Sequence, residues 1–134
     1  MKIPIAMVAF LLLWPFSGGK TFPMTTSSQV PAASGTVKVQ KDKTNGDLKL
    51  DIKVKHLARP SNLTPPAEFY IVWIQPKDGS AVKQGAIGVN NHLDGEFKVE
   101  TVSKNFQVLI TAEQSKNVTS PSGTELMHAD VSMS

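Results

Sequence analysis

The stretch Asp47–Leu57, with the sequence DLKLDIKVKHL, decides the fold class of this chain. Apolar and polar residues alternate along it without interruption, which is the pattern of a β-strand with one face on a core. A helix would scatter the apolar residues around its circumference. We expect the core face to carry Leu48, Leu50, Ile52 and Val54. We expect the water-facing side to carry Lys49, Asp51, Lys53 and Lys55.

The neighbouring segments extend this pattern. Thr36–Lys41 also alternates, and the Asn45-Gly46 dipeptide predicts a tight turn that joins the two strands as a hairpin. Phe69–Ile74 is an unbroken run of β-branched and aromatic residues, which predicts a central strand covered on both faces. Further strands are predicted at residues 81–89, 96–102, 106–112 and 125–132.

These segments amount to about seven strands in about 100 residues, with no helix among them. Such strands bury their apolar faces most simply as two packed sheets. We therefore predict an all-β, immunoglobulin-like, antiparallel two-sheet sandwich, preceded by an N-terminal signal helix. Trp73 is expected to fill the core of the sandwich. The alternative is that an aromatic residue of this strand lies on an outer face and binds a sugar or a partner.

The N-terminus has the features of an export signal. Lys2 precedes Ile3–Phe16, an uncharged and almost wholly apolar run. As a helix this run would span about 21 Å, whereas the hydrocarbon core of a bilayer is about 30 Å thick. Small residues then follow at 17–19. We predict a signal peptide over residues 1–19, with an uncleaved membrane anchor as the alternative.

The segment after the signal is rich in Ser, Thr and Pro and has no strand or helix period. We predict that residues 20–34 are a flexible spacer and that the β-domain covers residues 35–134. Cleavage after Ala33 would remove this spacer as well. Export would place the protein in the periplasm or outside the cell, with no stable membrane span after cleavage.

Composition excludes several classes of function. The chain has 134 residues, 14 Lys+Arg against 11 Asp+Glu, and no cysteine. The absence of cysteine excludes disulfides, thiolate zinc sites and iron–sulfur clusters. The lysines are spread along the chain and Arg59 is the single arginine. Nucleic-acid binders concentrate their positive charge, so we predict no nucleic-acid partner.

A resemblance to a known family begins at Tyr70 and ends at Gly123. The residues that carry it are Tyr70-Ile-Val-Trp73-Ile-Gln-Pro76-Lys-Asp-Gly79, Gly85-Ala-Ile, Gly95-Glu-Phe97, Phe106-Gln-Val-Leu-Ile-Thr111-Ala-Glu113 and Pro121-Ser-Gly123. In order and spacing this part of the chain resembles the extracytoplasmic domain of anti-sigma-K factors of the RskA type. The resemblance implies the β-domain fold and a location outside the cytoplasmic membrane.

The same resemblance limits the function that can be carried over. In that family a cytoplasmic helical domain binds the sigma factor, and a transmembrane helix connects it to the β-domain. Residues 1–34 match a signal peptide and a spacer instead. We therefore expect a free-standing sensory or interaction domain without anti-sigma activity of its own.

No catalytic or metal-binding constellation is evident in the sequence. The three histidines, His56, His92 and His128, have no spacing typical of a metal site. There is no G-x-S-x-G nucleophile motif and no glycine-rich phosphate loop. We therefore predict a protein that is not an enzyme and that has no metal and no cofactor.

The leading hypothesis is an exported, non-enzymatic domain that binds a protein partner or an envelope component, either by an exposed strand edge or by the loops at one end of the sandwich. The loops favoured are Arg59–Ala67 and Ser115–Gly123. The candidate partner-binding residues are Arg59, Asn62, Glu113, Ser115, Asn117 and Ser122. The alternative is a small exported carbohydrate- or metal-binding module, or a hydrolase. Its site would be assembled from His56, His92, Asp94 and Glu113.

Overall fold

The computed structural model of the chain describes residues 19–133. This part of the chain forms nine β-strands, and one turn of 3-10 helix at Pro60–Asn62. The strands are β1 (Lys20–Pro23), β2 (Thr25–Thr26), β3 (Ser34–Lys41), β4 (Leu48–Lys55), β5 (Phe69–Pro76), β6 (Val82–Ile87), β7 (Gly95–Thr101), β8 (Asn105–Glu113) and β9 (Thr124–Ser132). All seven predicted strands are present. Among residues 19–133, no helix is long and apolar enough to cross a membrane.

The strands form two antiparallel sheets, so the predicted sandwich is confirmed. The four-stranded sheet has the order β1-β3-β4-β7, and the five-stranded sheet has the order β2-β9-β8-β5-β6. Hairpins join β3 to β4, β5 to β6, and β8 to β9. The chain changes sheet between these hairpins and returns to place β7 beside β4. This is a Greek-key connection of the kind found in immunoglobulin-like sandwiches.

The core between the sheets is built from alternate residues of facing strands. Leu48, Leu50, Ile52 and Val54 of β4 are all buried there, as their spacing predicts. In β9 the alternation is interrupted by an irregular register opposite Ile110 and Thr111 of β8. This irregularity lets two consecutive residues, Leu126 and Met127, both enter the core.

The central strand β5 is buried on both faces, also as predicted. Tyr70, Val72 and Ile74 face the core between the sheets. Trp73 packs instead with Ile71 and Leu109 in a separate cluster. The expectation that Trp73 fills the sandwich core is therefore wrong. Strict alternation along β5 places Tyr70 in the core between the sheets. Its burial there raises the pKa of the Tyr70 hydroxyl to about 12.

The predicted spacer is part of the fold. Lys20–Pro23 pairs with β3, and Thr25–Thr26 pairs with β9. Met24, between the two short strands, is buried, and so are Val30 and Ala33. The prediction of a flexible segment over residues 20–34 is wrong because strands of four and two residues are too short to show a period. The folded domain thus begins ahead of Gly35.

The predicted signal peptide falls on residues 1–19, and residues 1–18 lie outside the described residues. The signal peptide therefore stays a prediction.

One water-facing expectation for β4 is also wrong. Lys49, Lys53 and Lys55 are exposed, but Asp51 is only 7% exposed. It points away from the core, yet β4 is an interior strand, and Lys38 of β3 and Lys98 of β7 lie opposite it on either side. Long lysine side chains flank the carboxylate and remove it from water.

Candidate functional site

Four loops meet at one end of the sandwich, which we call the loop end. They are residues 27–33, 56–68, 88–94 and 114–123. The antiparallel registers bring them together, because β4 and β8 finish at this end while β5, β7 and β9 begin there. Loops clustered at one end of a rigid sandwich commonly form a binding surface.

The loop at residues 114–123 is held by a buried carboxylate. Glu113 is 2% exposed. Its Oε2 accepts hydrogen bonds from Thr111 Oγ1 at 2.6 Å and from the backbone N–H groups of Ser122 and Gly123 at 3.2 Å each. Its Oε1 accepts from Ser122 Oγ at 2.7 Å. The end of the loop is therefore bound to the end of β8.

The same network continues into the outer face of the five-stranded sheet. Trp73 Nε1 donates to Thr111 Oγ1 at 2.8 Å, and Thr111 donates in turn to Glu113. Trp73 is fully buried, and Val118 of the loop packs against its cluster. Burial favours a raised pKa for Glu113, but the hydrogen bonds from Thr111, Ser122 and Gly123 outweigh it and hold the pKa below its ordinary value. Glu113 is thus a carboxylate at neutral pH.

The two loops favoured by the sequence are in contact with each other. Gln114 Nε2 donates to the carbonyl oxygen of Pro66 at 2.6 Å. The backbone N–H of Glu68 donates to the carbonyl oxygen of Glu113 at 3.0 Å. The Tyr70 hydroxyl, from within the core, donates to the carbonyl of Ala58. The loop at residues 56–68 is therefore fixed both to its neighbour and to the core.

The loop at residues 88–94 joins the same surface. Arg59 Nη2 donates to the carbonyl oxygen of Asn90 at 3.3 Å. Asn90 Oδ1 accepts from the backbone N–H groups of His92 at 2.8 Å and Asp94 at 3.0 Å. The Asn90 side-chain oxygen thus closes the turn by accepting two backbone hydrogen bonds. Leu93 has a φ of 65°, an uncommon backbone conformation for a branched residue.

A groove of about 520 Å³ runs along the loop end. Its apolar lining includes Phe69 and Ile87, and its charged rim includes Arg59 and Lys116. Lys116 Nζ lies 5.1 Å from the centroid of the Phe69 ring, within the range of a cation–π interaction. Glu68 adds a carboxylate to the same lining. A groove with an apolar floor and charges of both signs at its rim can accept an apolar side chain that has polar or charged groups beside it.

The structure separates the predicted partner-binding residues into two groups. Arg59, Asn62 and Asn117 are exposed at the loop end. Ser115 Oγ accepts from the backbone N–H of Asn117 at 3.0 Å and shapes the loop. Glu113 is buried and its hydrogen bonds are made within the chain, so its place in the structure is that of a loop anchor, and its assignment as a partner-binding residue stays a prediction. The Ser122 hydroxyl donates its hydrogen bond to Glu113 Oε1.

The alternative metal site does not assemble in the part of the chain that the structure describes. Within residues 19–133, no three His, Asp or Glu side chains form a group that could hold a metal ion. Glu113 is occupied by its own network, and Asn90 closes the turn that contains His92 and Asp94. His128 Nδ1 lies 2.8 Å from Glu125 Oε2 on the five-stranded sheet.

The sequence analysis did not single out Phe69, Gln114 or Lys116, although Lys116 lies within the favoured loop Ser115–Gly123. Phe69 is hidden in the sequence because it opens a run that predicts core. Gln114 and Lys116 lie in a polar loop, where the sequence pattern does not distinguish a contact residue from its neighbours. Only the proximity of the two loops shows what these residues contact.

No family model matches the chain, and no curated protein matches it. The residues behind the resemblance have visible roles in the fold. Trp73, Thr111, Glu113 and Gly123 all belong to the buried network that holds the loop. Those motifs therefore account for architecture, and the exposed residues of the loop end lie largely outside them.

Proposed function

We propose that this chain is an exported, non-enzymatic binding domain that engages a protein partner or an envelope component through its loop end. In this proposal it is similar to the extracytoplasmic domain of anti-sigma-K factors but has no anti-sigma activity of its own. Nucleic acid is not the partner, since the lysines are distributed over both sheets and the turns.

The observation that carries the proposal is the rigid convergence of the loops. Three of the four loops are cross-connected by side-chain hydrogen bonds. Gln114 joins one pair and Arg59 joins another. Such preorganisation lowers the entropy cost of binding, because the contact surface is already ordered.

The groove at the loop end supports the same conclusion. Aromatic and Arg side chains are enriched at the centres of protein interfaces. Phe69 supplies a half-buried ring, and Arg59 supplies further N–H donors beyond the one bound to Asn90. The signal-like Ile3–Phe16 segment and the family resemblance support a location outside the cytoplasmic membrane.

The test is site-specific photo-cross-linking of the full chain in the organism that encodes it. A photoreactive residue replaces Asn62 or Asn117 at the loop end. Matched control positions are Lys43 and Asp78, which are exposed in turns at the opposite end. We expect one and the same adduct from both loop-end positions and none from the control positions.

Charge reversal at the groove then connects the adduct to the site. Arg59→Glu and Lys116→Glu should abolish the adduct, while Lys77→Glu at the opposite end should leave it unchanged. Equal cross-linking from both ends would refute a loop-end interface. Detection of the full-length chain only in the cytoplasm would refute export.

A further inference from the structure

A second concave surface lies far from the loops, on the outer face of the four-stranded sheet. Six of its lining residues are polar or charged, namely Lys38, Gln40, Lys49, Asp51, Lys98 and Glu100. We call this surface the outer groove. It encloses about 520 Å³, as much as the groove at the loop end.

The register of the sheet arranges these six residues in two rows. In the first row, Lys38 of β3 and Lys98 of β7 stand directly opposite Asp51 of β4. In the second row, Gln40 and Glu100 stand opposite Lys49. Directly opposed residues of one face lie within about 5.5 Å of each other. Each row therefore alternates hydrogen-bond donors and acceptors across three strands.

Asp51 has an oxygen that nothing in the described chain satisfies. Its Oδ1 is buried and has no hydrogen-bond partner. The side chain as a whole is 9% exposed, and its other oxygen, Oδ2, lies 4.0 Å from Lys53 Nζ. A hydrogen bond also joins the Asp51 carboxyl to that of Glu96. A buried acceptor without a donor is costly, and native proteins leave few of them. Because Asp51 lines the outer groove, we infer that a ligand bound in the groove supplies the missing donor to this buried oxygen.

The charges of the outer groove restrict the chemistry of that ligand. A metal ion or an amine would meet Lys38, Lys49 and Lys98, and an anion would meet Asp51 and Glu100. A hydroxyl group carries no charge, and it both donates and accepts. Neighbouring hydroxyls of a sugar ring could thus donate to Asp51 and accept from an adjacent lysine in the same row.

We propose that the outer groove is a binding site for a neutral saccharide, in which a flanking lysine side chain moves aside and Asp51 Oδ1 and the Glu100 carboxylate accept hydrogen bonds from sugar hydroxyls. The site is separate from the loop end and does not depend on the function proposed there. The rim is shallow and lacks an aromatic platform in the described lining, so the affinity should be weak.

The experiment is an NMR titration of the isotopically labelled full chain. The probes are the methyl glycosides of glucose, galactose, mannose and N-acetylglucosamine, together with chitotriose, each added to about 10 mM because weak sugar sites bind in the millimolar range. We expect at least one probe to shift the backbone signals of β3, β4 and β7 in a saturable manner, without shifting those of the loop end.

Two variants test the assigned contacts. Asp51→Asn and the exposed Glu100→Gln should each weaken binding about tenfold, since hydrogen bonds to charged groups are strong. Asp78→Asn is the matched control at an exposed turn, and Arg59→Ala is the control at the loop end. Both controls should bind as the unaltered chain does. Glu100→Gln keeps the test valid if Asp51→Asn proves unstable.

Four results would overturn the proposal. The first is that none of the probes binds. The second is that shifts fall outside β3, β4 and β7, which would move the sugar site elsewhere. The third is that binding survives Asp51→Asn and Glu100→Gln in folded proteins. The fourth comes from inositol hexakisphosphate, titrated separately as an anionic probe: saturable shifts of β3, β4 and β7 with this probe alone would assign the groove to anions held by its lysines.

Discussion

The outer faces of the two sheets each bury a carboxylate, and they treat it in opposite ways. On the five-stranded sheet, Glu113 is 2% exposed and accepts four hydrogen bonds. On the four-stranded sheet, Asp51 is 7% exposed and has an oxygen with no partner. The first face is closed by a loop and an indole ring. The second is bordered by lysines and remains open as a groove.

The electrostatics of the two carboxylates differ accordingly. Hydrogen bonds hold the pKa of Glu113 below its ordinary value despite burial. Burial raises the pKa of Asp51, and a hydrogen bond with the neighbouring carboxyl of Glu96 raises it further. The lesson is that burial alone does not define the role of a carboxylate. Satisfied hydrogen bonds make Glu113 a structural anchor, and an unsatisfied oxygen makes Asp51 a candidate ligand contact.

The largest expected effect is at the satisfied carboxylate. Glu113→Ala leaves Thr111, Ser122 and Gly123 without their acceptor, which should lower the free energy of unfolding by about 3 kcal/mol. Urea denaturation measures this change. Glu68→Ala is the control at an exposed glutamate one residue from β5, and it should change stability by less than about 0.5 kcal/mol. Equal losses in both variants would contradict the anchoring role.

A second test uses the glycine that lets the loop reach Glu113. A Cβ on Gly123 would lie 1.7 Å from the carbonyl oxygen of Ala112, which the backbone cannot accommodate without moving. Gly123→Ala should therefore cost about 2–3 kcal/mol and speed hydrogen exchange in the loop. The matched control is Gly88→Ala, where a Cβ meets nothing within 4 Å. A stable Gly123→Ala protein with a protected loop would show that the anchor tolerates displacement.

The hydrogen-bonded connection between the Trp73 indole and the Glu113 carboxylate passes through the Thr111 hydroxyl, which one substitution can remove. Thr111→Val keeps the shape of the side chain but removes the acceptor of Trp73 and one donor to Glu113. We expect a loss of about 2 kcal/mol in urea denaturation, because buried polar groups are left unpaired. Thr36→Val, at an exposed position of β3, should be nearly neutral. An equal effect at both positions would argue against the buried network.

The smallest expected effect is a difference between Glu113 and Asp51 in how each makes the free energy of unfolding depend on pH. The lowered pKa of Glu113 stabilises the folded protein at pH values above the ordinary pKa of 4.5. This stabilisation is lost as the pH falls through the lower pKa of the folded state. The raised pKa of Asp51 acts in the other direction. Its contribution to the free energy of unfolding is complete below the ordinary pKa of 3.8. That contribution is lost as the pH rises through the higher pKa of the folded state.

The measurement is urea unfolding of Glu113→Gln and Asp51→Asn from about pH 3 to about pH 7. Relative to the unaltered chain, Glu113→Gln should lose stability as the pH rises. Asp51→Asn should gain up to about 1 kcal/mol over the same range. Glu96, Lys53 and Lys98 are the charged neighbours that shape the Asp51 titration. Slopes of the same sign for the two variants would remove the contrast between the faces.

Local periodicity in the sequence was sufficient to predict the sandwich. The alternation of Asp47–Leu57 and the apolar run Phe69–Ile74 specify strand type and burial, because side chains on a strand point to opposite faces in turn. The same rule already divided β5 into two faces. It could not say which face meets the other sheet, so Trp73 was assigned to the wrong side.

The loop end was predicted as two loops, and the sequence supplied Arg59, Asn62 and Asn117 as exposed residues of that surface. It could not supply the contact of Gln114 with Pro66, which joins residues 48 positions apart in the chain. It also offered Glu113 as a partner-binding residue, because four donors from three separate residues cannot be inferred from one strand.

The sequence by itself therefore determined which residues form strands and which face of each strand is apolar, since these depend on neighbours along the chain. The tertiary structure decided everything that depends on neighbours across strands. It placed β1 and β2 at the sheet edges, connected Glu113 to its loop, and set Asp51 between two lysines. Burial and hydrogen bonding of a polar group are fixed by the strands beside it, and the local pattern along one strand does not show which strands those are.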